Sequence, residues 1–342
     1  MKKKIKWGII GCGNIAYNFA NAFREVDNAE FIAIASKSKE KLDRFGKKFN
    51  IKKEFFFNNY DEIIENNKID IFYIALTNNL HSQVIAKLIE KKKNILVEKP
   101  AFMSVKEAEI IFNMKNFKNI FFTEGYMFRY HPQIVQIKKI IESGEIGKII
   151  KMESNFGFNL IYKKNIFGFK KMKIDKNKRI FNKNLGGGAI LDLGCYTTSM
   201  SLLIASFINE INISNFKVEN ICTEYSKSEV DIHSSALINF DNKFYSKISA
   251  SFSKEIGTKT IISGELGQVI LEQSWNSNNT ELKILNKENK LYTYKNIRNL
   301  YSLEIENISN DIYKKKVEAT FPGISKNNIL LNSKIIDHWI NV

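Results

Sequence analysis

Lys99 ends the apolar run KNILVEKP (93–100), far downstream of a Gly-rich turn, GIIGCGNIA (8–16). The turn follows the strand-like run Ile5 to Ile10 and opens an amphipathic stretch, Ala16 to Val26, which is the strand–turn–helix setting that a dinucleotide fingerprint needs. Gly11-Cys12-Gly13-Asn14-Ile15-Ala16 fits G-x-G-x-x-G/A. Gly11 would make the tight turn, Gly13 would let the backbone approach a pyrophosphate, and Ala16 would let the helix pack closely on the strand. Free N–H groups and the dipole at that helix start favour phosphate, so Gly11, Gly13, Asn14 and Ile15 are the candidate contacts. A strand ending at Lys99 would carry its ammonium to the carboxyl edge of a parallel sheet, where ligands of doubly wound folds bind, and so near a nicotinamide. A free lysine titrates near roughly 10.4 and is a cation at neutral pH, able to polarise a substrate hydroxyl. Pro100 fixes the exit from the strand and tolerates a cis bond. Taken alone, Lys99 could equally pair with Glu98 as a surface ion pair.

Between the second strand and its helix, Ser36-Lys37-Ser38 stands where an NAD-preferring site would place an acid on the ribose 2′-hydroxyl. A cation and two hydroxyls suit the extra 2′-phosphate of NADP instead, through charge-assisted hydrogen bonds. The plainer alternative makes Ser38 a helix N-cap and Lys37 a solvated charge.

The elements that must hold these residues alternate. After the first helix come strand AEFIAIAS (29–36), helix 39–49, strand EFFF (54–57), helix 60–66, strand DIFYIAL (70–76), helix 81–91, strand NILVEKP, helix 105–115 and strand NIFFTEG (119–125). Such alternation predicts a doubly wound parallel sheet with helices on both faces, a Rossmann domain over residues 1–126. Beyond it the pattern changes. A helix at 132–142, strand KIIKMESNF (148–156), an irregular Lys-rich stretch (157–185) and LGGGAILDLGCYTTSMSLLIASF, a loop opening a buried helix, lead into closely spaced strands at 233–240, 245–252, 258–265, 268–275 and 281–286. These predict an α+β domain over 127–342 with a large, mainly antiparallel open sheet, closed by helices at 301–315 and 325–340.

At 342 residues two domains are expected, and 44% apolar residues with only three Pro suit a globular chain. Cys12, Cys195 and Cys222 form no C-x-x-C pair, which suggests a reducing, cytoplasmic setting. MKKKIKWGIIGCG imitates a secretory signal, but its glycines interrupt the apolar part. No uninterrupted apolar run approaches the roughly 18–20 residues of a membrane span, so no membrane partner is expected. The net charge of +16 is spread as Lys through nearly every segment, a compositional bias rather than a nucleic-acid footprint. Four scattered His argue against a metal site.

GIIGCGNIA, the Thr77 to His81 segment TNNLH, the Glu98-Lys99-Pro100 triplet, EGYMFRYHPQ (124–133) and GGGAILDLGCY (186–196), in this order, resemble the Gfo/Idh/MocA oxidoreductase family. Within it they look most like the branch of D-xylose 1-dehydrogenases and dimeric dihydrodiol dehydrogenases. The resemblance implies an NADP-dependent enzyme, NAD being the other option, that moves hydride to or from a carbinol carbon of a sugar or cyclic polyol. It implies that Tyr196 exchanges the proton while Lys99 assists, and that the second domain often mediates dimerisation, making a homodimer plausible. It also carries Thr77, Asn78, His81 and Glu98 onto the cofactor edge and Arg129 and Asp192 toward substrate. A free phenol titrates near roughly 10, and a cation within reach lowers that by about 1–3 units. Tyr196 could instead be a satisfied core tyrosine; Asp192, four residues before it on the expected helix and so on the same face, could orient substrate or cap the helix. His81 could cap or pack, and Arg129, with His131 and Pro132, could position the domain junction. Asn78 departs from the family's usual Pro, and 157–178 is longer and more basic than the branch pattern, so a nucleotide sugar or surface-glycan sugar stands as an alternative substrate. The family also includes regulators that bind dinucleotide without turnover; retained Lys99 and Tyr196 speak for catalysis.

Overall fold

The computed structural model describes residues 3–165, 168–171, 178–275 and 278–341. The chain divides into two compact units, Met1–Tyr130 with Arg298–Leu330, and His131–Ile297 with Leu331–Val342. In the first unit the alternating elements are β1 (Ile5–Ile10), α1 (Asn14–Ala22), β2 (Ala29–Ala35), α2 (Lys39–Lys48), β3 (Phe56–Phe57), α3 (Tyr60–Ile64), β4 (Ile71–Ile74), α4 (His81–Glu90), β5 (Asn94–Glu98), α5 (Val105–Phe112) and β6 (Phe122–Gly125). All six strands are parallel, in the order β3-β2-β1-β4-β5-β6. Helices cover both faces of such a sheet, which is why β4 is buried at every residue and β1 and β5 at all but one. The chain order reverses between β1 and β4, the crevice where doubly wound sheets bind ligands. EFFF contracts to a two-residue strand, because 53–55 turn as a 3-10 helix before Phe56 pairs with β2. The Lys99–Pro100 bond is cis.

The second unit contains α6 (Pro132–Glu142), β7 (Ile149–Gly157), β8 (Tyr162–Asn165), β9 (Gly168–Lys171), α7 (Cys195–Ala205) and β10 (Phe216–Tyr225). It continues with β11 (Asp231–Phe240), β12 (Phe244–Ser251), β13 (Thr260–Gly264), β14 (Gln268–Leu271), β15 (Thr280–Leu285) and β16 (Lys290–Tyr294). Eight strands form one sheet, β10-β11-β12-β7-β13-β14-β15-β16, in which only the β12–β7 pair is parallel. The α/β Rossmann sheet with a second, mainly antiparallel sheet is therefore the fold expected from the sequence. Buried and more exposed side chains alternate along β15 and along β11 as far as Ile238, and α7 packs on β7 and β12 of the same sheet. Beside this sheet, Glu272, which follows β14, pairs with Lys259, just before β13, at 2.9 Å and with Lys283 of β15 at 3.2 Å. Within the stretch read as irregular, β8 and β9 pair as a short hairpin, while 166–167 and 172–177 lie outside the described residues.

The segment from Lys183 to Ala205 is apolar and long enough to resemble a membrane span, yet it is almost entirely buried inside the unit. Every residue of α7 is buried, and several of its hydroxyls turn back onto the helix backbone: Thr197 Oγ1 donates to the Gly194 carbonyl at 2.9 Å and Ser201 Oγ to that of Thr197 at 2.7 Å.

Helix α8 (Leu300–Tyr313) returns to the first unit. Ile305 and Ile308, one turn apart, join the core of Trp7, Phe19 and Tyr73, and Ser309 Oγ accepts the Trp7 indole N–H at 3.0 Å. A single boundary at 126/127 assigns these residues to the second domain; their apolar stripe is instead matched to the first sheet. The last helix, α9 (Lys326–Asn341), brings Trp339 into the second unit, where its indole N–H donates to Ser234 Oγ at 2.8 Å.

Candidate functional site

Gly11 ends β1, donating its N–H to the Ala35 carbonyl at 2.9 Å, and Gly13 caps α1 in an extended conformation with no side chain folded over the first turn. Asn14 is exposed and Ile15 half-buried at that helix start, so its N–H groups remain available to an anion. A cavity of about 270 Å³ opens beside them, lined by Cys12, Gly13, Asn14, Lys41, Arg44 and Lys48 among others, with no acidic side chain in its lining. Spacings of three and four put Lys41, Arg44 and Lys48 on one face of α2. Donors without acids, and open space where a Gly13 side chain would stand, fit a phosphorylated dinucleotide. Ser36 is buried and its Oγ accepts the Ser38 N–H at 3.2 Å; Ser38 in turn caps α2, accepting the Lys41 N–H at 3.4 Å. Lys37 is exposed, its ammonium 5.4 Å from the centre of the Tyr60 ring. Burial pushes the Cys12 thiol up to about 11, so it stays protonated at neutral pH.

Lys99, half-buried, leaves the sheet at the carboxyl end of β5. Glu98, 8% exposed, accepts the hydroxyl of fully buried Tyr73 on Oε1 and the Lys99 N–H on Oε2 at 3.3 Å. Thr77 Oγ1 donates to Asn79 Oδ1 at 2.7 Å in a short 3-10 turn, Asn78 is buried within that turn, and His81 opens α4. The His81 ring is buried, with Nδ1 3.0 Å from the Pro100 carbonyl and Nε2 3.2 Å from that of Leu76. It thereby ties together the ends of two loops on the ligand-bearing edge. Arg129 is 3% exposed; Nε donates to the Pro322 carbonyl at 2.8 Å and Nη2 to that of Gly323 at 3.2 Å. These bonds favour positioning over substrate contact. His131 caps α6, accepting the Gln133 N–H on Nδ1 at 3.0 Å, and Pro132 occupies the first turn, where its missing N–H costs nothing.

In the second unit Asp192 lies not on α7 but in a π-type turn, Ile190–Gly194, that precedes it. The shared face inferred from four-residue spacing on a regular helix does not carry over, because the pitch changes between Asp192 and Tyr196. Asp192 Oδ1 pairs with Arg179 Nη2 at 2.6 Å, neither capping the helix nor standing open. Tyr196 opens α7, 8% exposed, its ring edge-on to Phe156 at 5.1 Å and Trp275 at 5.7 Å. Asp231, at the start of β11, anchors the turn: its Oδ2 accepts the Ile190 N–H at 2.7 Å. Gly188, at φ +116°, makes room, since a Cβ there would stand 2.1 Å from Asp231 Oδ1. Burial raises Asp231 to about 6, and the backbone donors it accepts limit the rise. Asp231→Ala leaves those donors unpaired and is expected to cost about 1–3 kcal/mol by urea denaturation at pH 8. A variant as stable as the wild type would remove Asp231 as the anchor.

Lys99 and the Gly-rich turn thus belong to one unit, and Asp192, Arg179 and Tyr196 to the other. The sequence reading missed the basic face of α2, though its spacing was visible, and the anchors Asp231 and Glu124, whose partners are remote in sequence. Among the described residues no group of three or more His, Cys, Asp or Glu is placed to hold a metal ion.

Residues 5–126 match the family model described as "Oxidoreductase family, NAD-binding Rossmann fold" (GFO_IDH_MocA), and 134–270 match the Gfo/Idh/MocA C-terminal domain. Among curated relatives, trans-1,2-dihydrobenzene-1,2-diol dehydrogenase of Xenopus tropicalis is 25% identical over 83% of this chain and 80% of its own length. D-xylose 1-dehydrogenase (NADP(+)) of Hypocrea jecorina is 30% identical over 56% of this chain and 51% of its own. Among solved structures, aldose-aldose oxidoreductase of Caulobacter crescentus superposes with a TM-score of 0.83 at 19% identity, covering 99% of this chain and 97% of that one. Matched in both of its domains, the chain belongs to the Gfo/Idh/MocA oxidoreductase family.

Proposed function

We propose that this protein oxidises a carbinol carbon of a sugar or cyclic polyol with NADP⁺, oxidation of a pyranose at C1 to the lactone being the specific case. The observation that carries the reading is the first unit's sheet edge, where the half-buried Lys99 ends β5 and an acid-free basic cavity adjoins the Gly-rich turn. Asn14, Ile15 and Gly13 would hold the pyrophosphate by their backbone. Ser36, Lys37 and Lys41 would take the 2′-phosphate, with Thr77, Asn78, His81 and Glu98 shaping the rest of the cofactor edge. When bound, the nicotinamide supplies the hydride acceptor. The residues supply the rest: Lys99 Nζ hydrogen-bonds the reacting hydroxyl oxygen, Tyr196 Oη takes its proton, and Asp192 with Arg179 orients the neighbouring hydroxyls. The kinship with a dihydrodiol dehydrogenase and an NADP(+) xylose dehydrogenase supports both the substrate class and the cofactor.

The test is reduction of NADP⁺ and NAD⁺ with D-xylose, D-glucose and other aldoses. Turnover is expected with NADP⁺ favoured at least about ten-fold in kcat/KM, the worth of one charge-assisted hydrogen bond, and Lys41→Ala should lower only the NADP⁺ value. A preference for NAD⁺ would overturn the phosphate assignment. Silence with every aldose, despite tight NADPH binding, would overturn the sugar assignment in favour of a nucleotide-sugar substrate or a sensor.

A further inference from the structure

Three consecutive residues at the end of β5 are gripped through their backbone by three buried side chains. Glu98 Oε2 accepts the Lys99 N–H at 3.3 Å, His81 Nδ1 of α4 lies 3.0 Å from the Pro100 carbonyl, and Glu124 Oε1 of β6 accepts the Ala101 N–H at 2.8 Å. Buried backbone groups require partners, and a chain leaving a sheet would ordinarily find them in water or in another strand. Side chains serve here instead, and Glu124 is the one that holds Ala101, two residues beyond the lysine. Glu124 is itself 4% exposed. A carboxyl group kept in such a place costs desolvation that an apolar residue would avoid.

We propose that Glu124 is a positioning residue for Lys99: by holding the Ala101 amide it fixes the exit of β5, and with it the direction in which the lysine leaves the sheet edge. The inference rests on the assignment of Lys99 to the hydride site. Burial raises Glu124 to about 7; Glu98 of β5 pushes in the same direction, while the Ala101 amide, the Tyr126 hydroxyl and Arg129 pull down. Buried Glu304 of α8 is pushed well above the ordinary carboxylate value by burial and by Glu98, and the Tyr73 hydroxyl is pushed up by the same two causes. Glu124 therefore passes from acid to carboxylate near neutral pH, and the carboxylate is the stronger acceptor for the Ala101 amide. The grip on the segment after Lys99 tightens as pH rises through about 7.

Glu124→Ala and Glu124→Gln separate this role from a merely structural one. In Glu124→Ala, kcat is expected to fall roughly ten- to a hundred-fold through misplacement of Lys99 while the Kd for NADPH stays within about three-fold. Glu124→Gln, which keeps an acceptor for the amide, should restore most of kcat and lose the wild-type rise in kcat near pH 7. Amide hydrogen exchange at Ala101, read by NMR without any substrate, should quicken in Glu124→Ala and stay slow in Glu124→Gln. Unchanged exchange in Glu124→Ala, or equal losses of kcat in both variants, would overturn the proposal. Altered exchange in a protein that turns over no sugar would leave the grip standing and overturn the sugar reading alone.

Discussion

Lys99→Ala is expected to lower kcat with the best aldose by about 10²–10⁴-fold while leaving NADPH affinity within a few-fold. A loss of 10³ corresponds to roughly 4 kcal/mol of transition-state stabilisation, the range in which a single positioned proton-handling group acts. NADPH affinity should survive because the groups proposed to meet its phosphates, the start of α1 and the face of Lys41, Arg44 and Lys48, lie on other elements. The chain around position 99 should survive as well, because Glu98, His81 and Glu124 hold the backbone of 99–101, which the substitution keeps. Arginine should not rescue, since its planar guanidinium cannot replace a compact ammonium as donor to one oxygen. A Lys99→Ala enzyme within five-fold of wild type would move the chemistry away from this sheet edge.

Gly11 predicts a loss of a different kind. Its φ of +114° belongs to the region that side chains avoid, and a Cβ there would stand 2.3 Å from the Ala75 carbonyl oxygen, a backbone atom that β4 holds in place. Gly11→Val should therefore cost several kcal/mol, on the order of 3 or more, and yield aggregated or partly unfolded protein. Gly13 provides the contrast. No atom lies within 4 Å of a Cβ built there, so Gly13→Ala should melt within about 2 °C of wild type, an effect below 1 kcal/mol. The added methyl would fill the space assigned to the pyrophosphate in the proposed site, and NADPH is expected to bind at least about ten-fold more weakly. Thermal melts and NADPH titrations of the two variants check both halves. A folded Gly11→Val that binds normally, or a Gly13→Ala with wild-type affinity, would show that the turn does not hold the cofactor as described.

Much of the first unit was legible because parallel strands covered on both faces write long apolar runs: Ile5–Ile10, Ile71–Ile74 and Asn94–Glu98 can scarcely be read otherwise. The edge strands β10 and β16 were not, since residues such as Lys217, Glu219, Lys290 and Thr293 bury too little to leave a run. Helix α8 was recognised as a helix but assigned to the wrong company: its stripe of Ile305 and Ile308 says that it packs, not on what. The same gap limits the site. Gly11, Gly13 and Lys99 announce themselves by local spacing, whereas the bonds from Arg179 to Asp192, from Asp231 to Ile190 and from Glu124 to Ala101 join residues whose proximity only the folded chain creates.

The return of Arg298–Leu330 also sets an order of events for the chain as it is made. Translation runs from the N-terminus, so all six strands of the parallel sheet leave the ribosome long before the helix that shelters Trp7 and supplies Ser309 to its indole. Until residue 309 has emerged, that indole N–H must face water or a chaperone, and the β1 side of the sheet stays unroofed. The intervening unit, by contrast, contains seven of its eight main-sheet strands by residue 285 and the last by residue 294. The cofactor-binding half, first in the sequence, is thus the half whose covering arrives after its neighbour's strands, and no N-terminal fragment that stops before residue 298 contains that covering.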